Sequence, residues 1–75
     1  MPAKFSSQKL RAVRQEKKIS QMFLAELCDS SDRYIRDLER GRKANPSATL
    51  VYLLSRALDV PMDDLMEIKQ EEQVE

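Results

Sequence analysis

The stretch Ser20–Gly41, SQMFLAELCDSSDRYIRDLERG, constrains this chain more than any other. It reads as two short helices joined by a tight turn. Ser20 stands directly before an apolar-periodic segment, where its hydroxyl can accept from the free N–H groups of a first helical turn. Leu24, Leu27 and Cys28 recur at spacings of three and four and are expected to share one helix face. Asp29-Ser30-Ser31 breaks that pattern, because short polar side chains compete for backbone hydrogen bonds. Ser31 can cap a second helix, with Asp32 in its first turn at the positive end of the dipole. Ile35 and Leu38 face inward, and Gly41 sits where a left-handed residue closes a helix. Arg33, Tyr34, Arg36, Asp37 and Arg40 are left pointing outward. Such a short face of arginines, acids and one tyrosine suits insertion into a DNA major groove.

Two helices of this size bury little by themselves, and a chain of 75 residues allows one domain with a marginal core, so self-association is expected. Few β-branched residues, one glycine and abundant Leu, Arg, Lys and Glu argue for an all-α chain. Cys28 is the only cysteine and histidine is absent, which excludes a disulfide framework and a zinc pattern. A lone thiol on an apolar face fits the core of a cytoplasmic protein. With no histidine, one cysteine on an apolar face and no glycine-rich loop, neither an enzyme nor a cofactor or metal site is expected. No run approaches the roughly 18 apolar residues of a membrane span, and nothing at the start resembles a signal peptide.

The net charge of zero conceals an asymmetry. Up to Lys43 there are eleven basic and six acidic residues; from Ala44 onward there are two basic and seven acidic. A basic front and an acidic back fit a polyanion met by one face only.

Taken in order, the chain is expected to begin with an arm over residues 1–5, from which Phe5 tucks against the first helix. Ser6 or Ser7 caps that helix, about 6–17, with Leu10 and Val13 as its core pair. Ile19 precedes the Ser20 cap as a hydrophobic staple. Helices two and three span about 21–28 and 32–40. A basic loop, Arg42-Lys43-Ala44-Asn45, leads to a fourth helix, about 47–58, apolar nearly all round and so central or at an interface. Pro61 resets the backbone before a fifth helix, about 62–69, carrying Met62, Leu65, Met66 and Ile68. Either these are the first candidates for a dimer seam, or Leu65 is core and the methionines fill gaps beside it. Residues 70–75 form an acidic tail. Met22 and Phe23 fall on the outer side of helix two, either as a partly covered core edge or as a contact patch for a protein partner.

The run SQxxLAEL, the turn, YIxxLERGxxxNPS and ALDVPxDDL together resemble the Cro/CI-type helix-turn-helix family, also called XRE, over about Leu10 to Met66. The resemblance implies a five-helix, lambda-repressor-like domain that binds double-stranded DNA as a homodimer, with helix three in the major groove. It implies that Gln21 binds a phosphate and braces the recognition helix. Asp32, Arg33 and Asp37 match base-touching positions, and Tyr34 matches a tyrosine lying on the sugar-phosphate backbone or a thymine methyl. Arg42 and Lys43 match phosphate contacts in the loop. Arg14 and Glu39 match an ion pair tying helix one to helix three. Asp29 and Lys18 stand where the family favours glycine, and Ala44 reads as a one-residue loop insertion.

Read physically, phosphate neutralisation by Gln21, Arg40, Arg42 and Lys43 supplies most affinity and makes it salt-dependent. Arg33 and Arg36 can pair with guanine O6 and N7. Asp32 or Asp37 either accepts from a cytosine amine or orients a neighbouring arginine. The expected function is a transcription regulator on an inverted-repeat operator. The alternative is an antitoxin or adaptor that mainly holds a protein through Met22, Phe23 or the fourth helix.

Overall fold

Four serines set where the helices begin. The structure, a computed structural model, describes residues 3–43 and 45–68. In it α1 spans Ser7–Glu16, α2 Gln21–Leu27, α3 Asp32–Glu39 and α4 Ala48–Leu58. Ser6, Ser20, Ser31 and Ser47 precede them, each with an extended backbone and a hydroxyl accepting from the third residue of its helix. Those bonds run from the backbone N–H of Lys9, Phe23, Tyr34 and Leu50, at 3.0–3.1 Å. Each satisfies a donor that a short helix leaves orphaned.

The helices also end alike. After each, one residue turns left-handed, and two backbone N–H groups reach back over the last turn. Lys18 N–H donates to Gln15 and Ile19 N–H to Arg14; Asp29 donates to Glu26 and Ser30 to Ala25. Gly41 donates to Leu38 and Arg42 to Asp37; Asp59 donates to Arg56 and Val60 to Ser55. Only one of the four left-handed residues is glycine; Lys18, Asp29 and Asp59 adopt φ of 59°, 55° and 58°. A Cβ crowds the following carbonyl oxygen in that region and makes it unfavourable, less so for aspartate, whose short polar side chain can bond locally.

The end of the described chain departs from the expected fifth helix over 62–69. Met62–Leu65 makes one 3-10 turn, and Met66–Ile68 is a strand, β2, paired antiparallel with Ala3–Phe5, β1. Ala3 faces Ile68, Lys4 faces Glu67 and Phe5 faces Met66. The segment after Pro61 lacks a side-chain cap, and Met66-Glu67-Ile68 alternates with the period of a strand, as Ala3-Lys4-Phe5 does. Pairing far along the chain overrides a local helical spacing. Ser6 N–H continues the pairing to Leu65 O at 2.9 Å, and Lys4 and Glu67 form an exposed ion pair at 3.6 Å. The fold is therefore mostly helical with a two-stranded sheet, and the expected arm is a strand from Ala3 onward. Met1, Pro2, Ala44, Lys69 and the acidic stretch 70–75 lie outside the described residues.

Leu10, Leu24, Ile35, Leu38, Leu54, Leu58 and Leu65 are fully buried and meet in one core, closed by Phe5 from β1. Each such side chain contributes about 1.5–3 kcal/mol through burial. Leu27, expected inward, is 46 % exposed. On a helix of seven residues, Leu24, Ala25 and Cys28 fill the inward arc, and Leu27 falls beside Phe23 instead. Ala48, at the start of α4, is likewise exposed, whereas Val51, Leu54 and Leu58 are buried.

Lys18 carries a Cβ at φ 59° and, unlike aspartate, has no short polar side chain that could bond locally to offset it. Lys18→Gly is therefore expected to raise unfolding stability by about 1 kcal/mol, read as a higher urea midpoint at unchanged slope. An unchanged or lower midpoint would show that the turn carries no such strain.

Candidate nucleic-acid interface

The floor of the basic surface is a buried ion pair. Arg14 on α1 donates from Nε to Glu39 Oε2 at 2.5 Å and from Nη2 to Oε1 at 3.0 Å. Its Nη1 donates to the carbonyl of Ile19 at 2.8 Å. Gln21, first residue of α2, donates from Nε2 to Glu39 Oε1 at 3.0 Å. The side chains of Arg14 and Glu39 are only 13 % and 3 % exposed. One carboxylate on α3 thus gathers α1, the link after it and the start of α2. Such a pair is worth little net against an apolar replacement, but losing one partner strands a buried charge.

α3 turns by roughly 100° per residue, and Ile35, Leu38 and Glu39 are its buried residues. Arg33 and Asp37 consequently lie on the side opposite the core. Asp32, Arg36 and Arg40 share the flank that faces α1, and Tyr34 lies on the other flank, packed against the core. Arg36 Nη2 donates to Asp32 Oδ2 at 3.3 Å, one helical turn back. The five residues expected to read bases therefore divide: Arg33 and Asp37 outward, Asp32 and Arg36 paired on one flank, Tyr34 on the other.

The residues expected on phosphates flank this surface. Arg40, Arg42 and Lys43 are exposed just past α3. Their loop is tied down, since the N–H groups of Arg42 and Lys43 both donate to Asp37 O, at 2.9 and 3.4 Å. Gln21, Arg36 and Arg40 line a cavity of about 430 Å³ with Arg11, Arg14, Ser20 and Glu39. Arg11 was not singled out from the sequence. Its signal is its place one turn before Arg14, which becomes informative once Arg14 is known to face α3.

The proposed seam residues sit at the far end. Met62 and Ile68 are exposed and Met66 half-buried. With Ala3, Lys9 and Asp63 they line a concavity of about 610 Å³. Leu65, expected with them, has no exposed surface; the 3-10 turn directs it into the core, so it cannot contribute to a surface. Lys9 Nζ donates to the Met66 carbonyl at 2.7 Å. Met22 and Phe23 are 61 % and 50 % exposed. On α4, Tyr52 is exposed with the Arg56 guanidinium over its ring, 5.9 Å from the centroid. Cys28 is buried, and burial raises its thiol pKa above the ordinary value, which disfavours the reactive thiolate. Among the described residues, no three His, Cys, Asp or Glu side chains are grouped to hold a metal, and no helix is long and apolar enough to cross a membrane.

This arrangement is that of a helix-turn-helix protein, with α2 and α3 as the paired helices. The helix-turn-helix family model matches residues 10–65, and the chain belongs to that family, in its Cro/CI or XRE type. Comparison with curated proteins yields no match. Among solved structures, it is similar to the restriction-modification controller protein C.AhdI from Aeromonas hydrophila. Identity is 36 %, covering 79 % of this chain and 88 % of that one, with a TM-score of 0.74. It is similar to SinR, the master regulator for biofilm formation, from Bacillus subtilis, in a structure with DNA. There identity is 32 %, covering 79 % and 94 %, with a TM-score of 0.74. The P22 c2 repressor in complex with a synthetic operator shows 30 % identity over 79 % and 88 %, with a TM-score of 0.72.

Glu39→Ala leaves Arg14 buried without its carboxylate and Gln21 without its acceptor. A loss of about 3–5 kcal/mol of unfolding free energy is expected, measured by urea titration. A loss below about 1 kcal/mol would mean that Arg14 escapes to water at little cost.

Proposed function

We propose that this chain is a sequence-specific, double-stranded-DNA-binding transcription regulator of the cytoplasm that acts as a homodimer on an inverted-repeat operator. The observation that carries this reading is the placement of Arg33 and Asp37. They stand on the side of α3 opposite its buried residues, on a helix whose other sides are fixed by the core and by Glu39. A helix held so firmly from behind presents its outward row to a groove with little further ordering cost. Arg33 reaches guanine O6 and N7, and Asp37 accepts from a cytosine amine. Gln21, Arg40, Arg42 and Lys43 bind phosphates and fix the register. Two copies related by a two-fold axis place their α3 helices about 34 Å apart, one turn of B-DNA. Met62, Met66 and Ile68 are the surface offered to the second copy, without Leu65.

Selection of bound sequences from random duplexes tests the reading. The expected product is an inverted repeat. Arg33→Ala should then relax preference at one position in each half-site, costing about 1–3 kcal/mol of discrimination there. An unchanged preference removes Arg33 from the readers. A protein that ignores every duplex in dilute salt overturns the function.

A second reading, that the domain mainly holds a protein partner, is favoured by the adjacent exposed Met22, Phe23 and Leu27 on α2. SinR also occurs in a solved complex with the protein SinI, and that structure matches this chain at 32 % identity with a TM-score of 0.73. Phe23→Glu separates the two readings. Under the DNA reading it leaves operator binding unchanged and adds solubility; under the adaptor reading it abolishes a complex while the operator is still bound.

A further inference from the structure

We propose that Arg11, Arg36 and Arg40 hold a backbone phosphate of the DNA in the cavity between α1 and α3, and that Asp32 positions Arg36 there instead of reading a base. The inference rests on the DNA-binding reading and assigns Arg36 and Asp32 to a different task within it. It also adds Arg11 to the binding surface.

The cavity has a neutral floor and positive walls. Arg14 uses Nε and Nη2 on Glu39 and Nη1 on the Ile19 carbonyl, so its charge is matched beneath the cavity. Glu39 is the only carboxylate among the lining residues. Arg11 rises from α1, and Arg36 and Arg40 rise from the facing flank of α3. Against these three arginines stands one further acid, Asp32, on Arg36. Two positive charges therefore remain in excess within a concavity of about 430 Å³. Like charges gathered between two helices repel one another until an anion joins them. A phosphate oxygen accepts from guanidinium forks in paired, charge-assisted hydrogen bonds.

The helix geometry separates Arg36 from the reading row. Arg33 and Asp37 lie opposite the core, while Arg36 and Arg40, one turn apart, lie on the α1 flank. A recognition helix in a major groove has a backbone strand along each flank, and the bases in front of it. Asp32 would repel that strand were it unpaired. Its Oδ2 instead accepts from Arg36 Nη2 at 3.3 Å, which masks the carboxylate and fixes the guanidinium. Both side chains stay partly open, 44 % and 38 % exposed, so the remaining guanidinium N–H groups are free for a ligand.

The test compares two duplexes of equal length, one recovered by selection and one with the same bases scrambled. Arg11→Gln and Arg36→Gln should each weaken both duplexes by the same factor. The double variant Arg11→Gln/Arg36→Gln, in which Arg40 is balanced by Asp32 and no positive charge remains in excess, should flatten the slope of log K against log salt by about 0.9, the loss of the one phosphate contact. The base preference found by selection should stay that of the wild type. Arg36→Lys, which keeps the charge, should restore the slope. Asp32→Asn should leave base preference unchanged, and its effect on affinity should shrink in the Arg36→Gln background. Relaxed preference at one base pair in Arg36→Gln or Asp32→Asn makes that residue a reader and overturns the proposal. So does an unchanged salt slope in the double variant Arg11→Gln/Arg36→Gln, or additivity of the Asp32 and Arg36 effects. Wild-type protein that binds neither duplex in dilute salt fails the DNA reading itself, a result recognisably different from these.

Discussion

The bond between Arg14 and Glu39 is the constraint on which the rest is arranged. Burying two charges costs several kcal/mol each, recovered only with good geometry and with the remaining hydrogen-bonding groups occupied. Here the carboxylate takes two bonds from Arg14 and one from Gln21, and Arg14 gives its third to the Ile19 carbonyl. An apolar pair of equal volume could fill that space, but it would accept many relative positions of α1 and α3. A fork meeting a carboxylate accepts few. The consequence is geometric: α3 is fixed in rotation about its own axis, which determines which of its residues point away from the protein.

That fixing matters because the elements are short. Helices of seven to eleven residues are unstable alone, and a chain of this size has little apolar area with which to hold them. Identical terminal chemistry makes up part of the difference. A serine hydroxyl closes each helix at its start, and a left-handed turn with two returning N–H bonds closes each end. The turns tolerate Lys18, Asp29 and Asp59 because two hydrogen bonds and the entry of the next element over-determine the backbone there. The bond from Ser30 N–H to Ala25 O, 2.8 Å, closes the end of α2 where the turn to α3 begins. Loss of the family's usual glycine at Asp29 has therefore not altered the motif.

What could be read from the residues was what is decided locally. Serine caps, the break at Asp29-Ser30-Ser31 and the glycine after α3 are signals within a few residues of the features they produce, and the helix boundaries were legible to within a residue or two. The strand at Met66–Ile68 was not, because its partner lies more than sixty residues away at Ala3–Phe5, and nothing in MDDLMEIK announces that pairing. Leu65 stands in the same stretch: spacing alone leaves it open between seam and core, and the 3-10 turn that ends on it places it in the core. Leu27 was misplaced because seven residues define a face poorly. The candidate site was legible as a set of positions, but not as flanks. Arg33 and Arg36 look alike in sequence, and only the rotation of α3 separates them.

The acids on the reading helix follow from the same logic. A surface of arginines alone would bind any duplex through its phosphates, and affinity of that kind carries no sequence information. Specificity is a difference between affinities, and groups that penalise the wrong partner create it as surely as groups that reward the right one. Among the described residues no side chain pairs with that of Asp37, which lies on the outward row beside Arg33. A carboxylate accepts from a base edge that donates; against a guanine or thymine edge, or a phosphate, it finds acceptors and no donor, and is repelled. Asp32, one turn before Arg36, has its charge masked by the neighbouring guanidinium. Two aspartates on one short helix thus stand in opposite settings: the charge of Asp32 is offset at the flank by the Arg36 guanidinium, and that of Asp37 has no such partner among the described residues. A chain of zero net charge can in this way keep a strong local hold on a polyanion while remaining weakly attracted to DNA at large.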